Sequence, residues 1–187
     1  LAAEPTTAES ALGASRDFAR AGWTSQALSL ARRAVEVGGA SYESPDLAIL
    51  FPTPFPHEIE SIAREYDLKT SLLNGIIREE SHFNRNAVSP VGAQGLMQLM
   101  EPTAQDMMRR IDRDVPDLFR PEDNLTLGAA YLSYLADLLP NRVSVIAGYN
   151  AGIGRMRQWN REFGDLPPLL LVEAIPYPET RNYARKV

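Results

Sequence analysis

The sequence predicts an all-α protein, and three observations support this fold class. Apolar residues recur at helical spacing, most clearly at Ile59, Ile62, Ala63 and Tyr66, which fall at i, i+3, i+4 and i+7 on one helix face. Helix start and stop signals flank such segments, and no stretch alternates apolar and polar residues as a half-buried strand does. The chain has 187 residues, 44% of them hydrophobic, enough for an ordinary globular core.

Two helices are predicted at the start of the chain. The first begins at a capping box formed by Thr6 and Glu9 and stops at Gly22. The second is capped by Thr24 or Ser25. Two short antiparallel helices are typical of one unit of an α-solenoid.

The second helix is predicted to end at Gly38-Gly39, and Ser44-Pro45 opens a short apolar helix. A stiff, proline-rich connection follows at residues 52–56. We therefore divide the chain into a helical lead-in, residues 1–51, and a compact helical domain, residues 52–187.

The compact domain is predicted to be a series of helices around one loop. Residues 84–95 contain Asn, Pro and two Gly, which predicts the loop. The predicted helices are, in order, one from Pro56, one from Thr70 or Ser71 to Glu80, short helices at 95–100 and 102–111, a long helix at 124–139, one from Val143 to the Asn150-Ala151-Gly152 turn, and a short apolar segment at 169–175.

Composition excludes several functions. The net charge is -5 and no Lys/Arg run occurs, so the sequence favours neither a nucleic-acid partner nor a polybasic membrane contact. No apolar run approaches the ~18 residues of a membrane span. The chain has no cysteine, and its two histidines, His57 and His82, form no metal-spaced pair, so we expect no metal and no cofactor. No signal peptide is visible, and we expect that it was removed or that the chain is a piece of a longer protein.

Glu80 is the most informative single residue. It continues the apolar face of Leu73, Ile76 and Ile77, so a carboxylate is predicted at a core-facing position. Burial raises a carboxyl pKa, and a carboxyl that stays protonated near neutral pH can act as a general acid. The alternative is a structural Glu that pairs with a buried Arg or caps backbone amides. Glu79 is rotated by about 100° and is expected to be solvated.

Four motifs follow one another along the chain: REESHFN at 78–84, SPVGAQGLMQLM at 89–100, AGYNAG at 147–152 and EAIPYPETRNY at 173–183. In order and spacing they resemble the motifs of the family 1 soluble lytic transglycosylases, which have a lysozyme-like catalytic domain. The resemblance covers roughly residues 50–187, and the lead-in resembles the last helices of the α-superhelical domain found in larger members. One departure is that Pro102 is displaced by one position, which leaves the start of the next helix open.

The resemblance implies roles for eight residues. Glu80 matches the catalytic acid/base of the family. The residues that match the lining of the glycan-binding cleft are Ser89, Gly95, Gln98, Met100, Tyr149, Asn150 and Glu179. Independently of the resemblance, Gly95 allows close approach of the backbone to a sugar, Gln98 can donate to and accept from an N-acetyl amide, and Tyr149 offers a hydroxyl on a rigid ring. Ordinary core packing is the alternative for Met100 and Tyr149.

The activity implied is non-hydrolytic cleavage of the β-1,4 bond between N-acetylmuramic acid and N-acetylglucosamine in peptidoglycan, which gives 1,6-anhydromuramic acid ends. Peptidoglycan glycan strands are then the partner, and the periplasm the expected location. Three alternatives stay open: a lysozyme-type hydrolase, a non-catalytic peptidoglycan-binding scaffold, and a helical protein-interaction domain. Nothing in the sequence indicates a protein partner.

Overall fold

The computed structural model describes residues 7–37, 47–114 and 117–187, and in these ranges the all-α prediction is confirmed. The described helices are α1 (Ala8–Arg20), α2 (Thr24–Glu36), α3 (Leu47–Leu50), α4 (Pro56–Glu65), α5 (Thr70–Ser81), α6 (Glu101–Ile111), α7 (Pro121–Leu138), α8 (Arg142–Ala151), α9 (Ile153–Phe163), α10 (Pro168–Ala174) and α11 (Pro178–Lys186). None of these helices is both long and apolar enough to cross a bilayer.

Helix α7 forms the centre of the core. It packs against α4, α6 and α8. A helix that is apolar on all sides is buried on all sides, and α7 buries a continuous run from Asn124 to Ala130 together with Leu132 and Leu135. The apolar face of α5, with Leu73, Ile76 and Ile77, joins the same core.

The lead-in helices α1 and α2 pack closely on each other as a helical hairpin. A small cluster of Ala11, Leu12 and Ala34 lies between them, and the buried Ser15 hydroxyl donates to the Ala27 carbonyl at 2.7 Å. Leu28 of α2 is fully buried in the core that α5 and α7 share. The hairpin therefore adds a side chain to the core of the larger helical body.

The caps of α1 and α2 differ from those predicted. Helix α1 is capped by Thr7, whose hydroxyl accepts from the Ser10 amide at 3.2 Å, and Thr6 lies outside the described residues. Gly22 follows α1 with a φ of 78°, as expected of a helix stop. Thr24 is the first residue of α2, and Ser25 makes no cap, because its hydroxyl donates to the His82 carbonyl instead.

The predicted signals at Gly38-Gly39 and Ser44-Pro45 also lie outside the described residues. Further along, α4 begins at Pro56 and α5 at Thr70, as predicted. Helix α7 begins three residues earlier than expected, at Pro121, a favourable first helical position because proline has no amide hydrogen to leave unpaired.

The helix predicted at residues 95–100 is wrong. This segment is a tight turn between Gln94 and Leu99, which exchange backbone hydrogen bonds of 2.9 and 3.0 Å. Helices α9 and α11 were not predicted. Helix α9 buries only Met156 and Trp159 of its 11 residues, so its apolar periodicity is too sparse to detect.

Gly128 and Gly13 provide a matched test of packing around α7. A Cβ on Gly128 would lie 2.2 Å from the sulfur and 3.0 Å from the Cβ of Met97, whereas nothing lies within 4 Å of a Cβ on Gly13. We expect Gly128→Ala to lower the free energy of unfolding by about 1–3 kcal/mol through overpacking. Gly13→Ala, in helix α1, should raise it by about 0.5–1 kcal/mol. Urea unfolding of both variants checks this, and equal effects would contradict it.

Candidate active site

Glu80 lies in the last turn of α5 and is largely buried. The Tyr183 hydroxyl, from α11, donates to its Oε1 at 2.7 Å. The pKa of Glu80 is raised to about 7. Burial is the main cause, the hydrogen bond from Tyr183 acts in the opposite direction, and the charges of Glu79 and Glu179 add to the rise. A carboxyl with a pKa near 7 can deliver a proton and recover it at neutral pH.

Tyr183 is a site residue that the sequence analysis did not single out. Its side chain is buried, and burial together with the Glu80 charge raises the pKa of its phenol. The phenol therefore stays protonated and donates to Glu80. This bond stabilises the carboxylate that remains once Glu80 has given up its proton. The available signal was helical spacing, since Thr180 and Tyr183 are the two buried residues of α11.

Tyr149 and Asn150 lie in the last turn of helix α8. Burial and the Glu80 charge raise the pKa of Tyr149, so the phenol stays protonated, and its hydroxyl donates to the Met97 carbonyl at 2.8 Å. Asn150 accepts a hydrogen bond from the Thr180 hydroxyl at 2.7 Å. In this structure both side chains therefore hold neighbouring segments in place.

Four of the predicted cleft residues, Ser89, Gly95, Gln98 and Met100, lie in the segment 89–100. The Ser89 hydroxyl accepts from the Ala93 amide at 2.9 Å and closes a turn. The side-chain nitrogen of Gln98 donates to the carbonyls of Ala87 and Gly95 at 3.1 and 2.9 Å, which leaves its side-chain oxygen as the group suited to accept from a ligand. Met100 is 40% exposed at the start of α6.

Gly95 makes its close approach to the protein itself. A Cβ at this position would lie 2.2 Å from both the Asn124 side-chain nitrogen and the Leu118 carbonyl oxygen, and its φ is +77°. A side chain is therefore excluded by backbone and by a buried amide. Gly95 thus allows the loop to lie against α7, and the expectation that it lies beside a sugar stays a prediction.

Asn124 and Ser81 hold the loop in place. Asn124 is fully buried; its oxygen accepts from the Met97 amide at 2.7 Å, and its nitrogen donates to Gln94 and Leu118 carbonyls at 3.0 and 2.9 Å. Ser81, which follows the catalytic candidate, donates to the Leu96 carbonyl at 2.7 Å. Neither role was visible in the sequence, because each joins segments distant along the chain.

Glu79 does not lie in solvent as expected. Its side chain is only 6% exposed and is paired with Arg32 at 2.8 Å, with Arg78 at 3.2 Å and with Lys186 at 3.7 Å. Consecutive residues of a helix are rotated by about 100°, so Glu79 lies on a different face of α5 from Glu80. That face is covered by α2 and by the end of α11. Glu179, in contrast, is exposed, and it affects Glu80 through its charge.

Comparison with known proteins gives consistent matches. Residues 58–170 match the model of the transglycosylase SLT domain family. The chain is 37% identical over 145 residues to a soluble lytic murein transglycosylase of Salmonella typhimurium, covering 73% of this chain and 22% of that protein. It is 32% identical over 154 residues to the membrane-bound lytic murein transglycosylase C of Haemophilus ducreyi, covering 69% of this chain and 42% of that one.

Solved structures show the same fold. An inactive Glu-to-Gln mutant of lytic transglycosylase Slt from Pseudomonas aeruginosa superposes with a TM-score of 0.86 at 33% identity, covering 96% of this chain and 29% of that chain. The 70 kDa soluble lytic transglycosylase of Escherichia coli superposes with a TM-score of 0.84 at 26% identity, covering 98% and 29%. The present chain thus spans less than a third of these proteins.

Asn124→Ala should destabilise the protein strongly. It leaves the Met97 amide and the Leu118 carbonyl without the partner that Asn124 provides, and it removes one of two hydrogen bonds to the Gln94 carbonyl. Unsatisfied buried groups make this a loss of about 3 kcal/mol in the free energy of unfolding. Asn84→Ala is the control, because Asn84 is exposed and accepts one local bond from the Asn86 amide; its effect should stay within about 0.5 kcal/mol. Urea unfolding measures both losses. A loss from Asn124→Ala as small as that from Asn84→Ala would show that Asn124 does not hold the loop in place.

The raised pKa of Glu80 predicts a pH-dependent stability. Folding favours the protonated carboxyl, so this contribution is present below about pH 4.5, the ordinary carboxyl pKa, and is lost as the pH rises to about 7. Glu80→Gln removes the titration. Its free energy of unfolding relative to wild type should therefore rise by about 2–3 kcal/mol between pH 5 and pH 8.

Urea unfolding at several pH values measures this difference. Glu60→Gln is the control, because Glu60 is an exposed glutamate on α4. The difference in free energy of unfolding between this variant and wild type should show no comparable change with pH. A constant gap between wild type and Glu80→Gln would mean that Glu80 titrates as an ordinary carboxyl.

Proposed function

Since the chain belongs to the transglycosylase SLT domain family, we propose that it is the catalytic part of a lytic transglycosylase that cleaves the glycan strands of peptidoglycan. The observation that carries this proposal is the buried Glu80 carboxyl, with a pKa of about 7 and a hydrogen bond from Tyr183. The similar proteins named as murein transglycosylases support the substrate class.

In the proposed first step, protonated Glu80 gives its proton to the oxygen that bridges N-acetylmuramic acid and N-acetylglucosamine. The bond from the anomeric carbon to that oxygen breaks, and N-acetylglucosamine leaves as an alcohol. The acetamido oxygen of the muramic acid stabilises the positive anomeric carbon, as in substrate-assisted glycosidases. Tyr183 donates to the Glu80 carboxylate that results.

In the second step, the Glu80 carboxylate takes the proton of the 6-hydroxyl on the same muramic acid. That oxygen bonds to the anomeric carbon, displaces the acetamido oxygen and leaves a 1,6-anhydro end. Glu80 is protonated again, so no water is consumed. Attack within one sugar is strongly favoured by proximity.

A scheme with one catalytic carboxylate fits the neighbouring residues. Glu79, next in sequence, is held in ion pairs and its side chain is 6% exposed, so it is poorly placed to attack a sugar. Glu179 is exposed on α11, where we propose that it lines the cleft.

We assign the same cleft-lining role to Ser89, Gly95, Gln98, Met100, Tyr149 and Asn150. Several of them are engaged in holding the loop and α8, so their proposed effect on the glycan is partly through the shape of these segments. We also propose that residues 1–51 are the end of an α-superhelical domain, that residues 52–187 are the catalytic domain, and that the protein acts in the periplasm, where peptidoglycan lies.

Fragment analysis of purified peptidoglycan tests this function. Wild type should release fragments ending in 1,6-anhydromuramic acid. Glu80→Gln keeps the shape of the side chain but cannot donate the proton, so release should fall by at least about 100-fold. Glu60→Gln should behave as wild type. Mass spectrometry identifies the ends.

Other outcomes separate the alternatives. Reducing ends would show a lysozyme-type hydrolase on this fold. Binding to peptidoglycan without release by wild type would point to a scaffold, and full activity of Glu80→Gln would remove Glu80 from the mechanism.

A further inference from the structure

Helix α2 contacts the end of α5 that carries Glu80. The Ser25 hydroxyl donates to the His82 carbonyl at 2.8 Å. Arg32 donates through one nitrogen to both carboxylate oxygens of Glu79, at 2.8 and 3.1 Å, and through another to Nε2 of His82 at 2.6 Å. We call Ser25, Arg32, Glu79 and His82 the α2–α5 clamp.

The clamp contacts the C-terminal end of α5, where backbone groups need hydrogen-bond partners from outside the helix. The last carbonyls of an α-helix have no partner within the helix, and α5 is capped after Ser81 by His82, a non-glycine residue with a φ of 51°. Ser25 satisfies the carbonyl at this point, two residues beyond Glu80. The direction of the last turn of α5 is thus set partly by the lead-in.

Arg32 is the centre of the clamp. Its side chain is 22% exposed and that of Glu79 is 6% exposed, so the pair is mostly removed from water, and removal of one partner from such a pair is strongly unfavourable. Arg78 and Lys186 also pair with Glu79, but both belong to the compact helical domain, residues 52–187. Arg32 alone among these three cations reaches it from the lead-in.

The same end of α5 is also held from a second side, by α11. Tyr183 of α11 contacts Glu80 itself, and Arg78 donates to the Lys186 carbonyl of the same helix. The Glu80 turn thus lies between α11 and α2. Loosening α2 would let this turn move relative to Tyr183.

We propose that Arg32, from the lead-in, is a positioning residue for the reaction at Glu80: it fixes the last turn of α5 and so the direction of the Glu80 carboxyl. The inference rests on the proposed function for its rate effect. If Arg32 has this role, the lead-in hairpin contributes to the geometry of the active site.

Arg32→Ala tests the proposal on the whole chain. Misplacement of a catalytic group by about 1 Å can cost about 100-fold in rate, so we expect kcat on soluble glycan-strand fragments to fall about 10- to 100-fold. KM should stay within about twofold, because the cleft-lining residues are untouched. Arg32→Lys keeps a cation for Glu79, but a single ammonium cannot replace the two guanidinium nitrogens that bond to Glu79 and His82. Its kcat should therefore lie between those of wild type and Arg32→Ala.

The matched control is Arg20→Ala, also in the lead-in. Arg20 makes an exposed ion pair with Asp17, with side chains 75% and 77% exposed, and its removal should leave kcat and KM unchanged. If Arg32→Ala behaves like Arg20→Ala, or if Arg32→Lys is no better than Arg32→Ala, Arg32 is not a positioning residue.

Amide hydrogen exchange gives a readout that needs no activity. Amides at the end of α5, residues 79–82, should exchange about 10-fold or more faster in Arg32→Ala, while those of α7 stay protected. Unchanged exchange at 79–82 overturns the clamp whatever the enzyme does. Absence of fragment release by wild type would instead refute the proposed function, and the exchange result would still decide the clamp.

Discussion

The burial of one carboxyl, that of Glu80, is the constraint on which the site depends. An ionised carboxylate out of water is unfavourable, so the folded chain favours the protonated form and raises the pKa of Glu80 to about 7. The Tyr183 hydroxyl offsets part of that effect by donating to the carboxyl. These opposing effects leave a carboxyl that exchanges protons near neutral pH. The helices packed around Glu80 fix both its burial and its hydrogen bond.

The loop between α5 and α6 shows how such a site is held without regular secondary structure. Several of its backbone groups bond to side chains from other elements, chiefly Asn124 of α7 and Ser81 of α5. Tyr149 adds a bond to the Met97 carbonyl from α8. Gly95 is required because any side chain would enter the space of Asn124. Loop, helix α7 and helix α8 are therefore one packed unit around the end of α5.

The lead-in belongs to the same unit in two ways. Leu28 is buried in the shared core, and Arg32 pairs with the buried Glu79 beside the candidate acid. The first contact is apolar and non-directional, so it contributes stability. The second is directional, which is why it can set the orientation of a neighbouring side chain.

Local pattern alone determined the all-α class, the starts of α4 and α5 at Pro56 and Thr70, and the placing of Glu80 on an apolar face, because helical periodicity and capping are short-range properties. It failed for residues 95–100, where pairing of Gln94 with Leu99 overrides helix propensity, and for α9, whose few buried residues leave little periodicity.

Tertiary structure decided the surroundings of Glu80. The donor Tyr183 lies 103 residues away along the chain, and Glu79, expected in water, is covered by α2 and paired with an arginine 47 residues away. Sequence periodicity tells which face of a helix a residue occupies, but only the packing of distant segments tells what covers that face. That covering sets the polarity, the pKa and the hydrogen-bond partners on which the proposed chemistry depends.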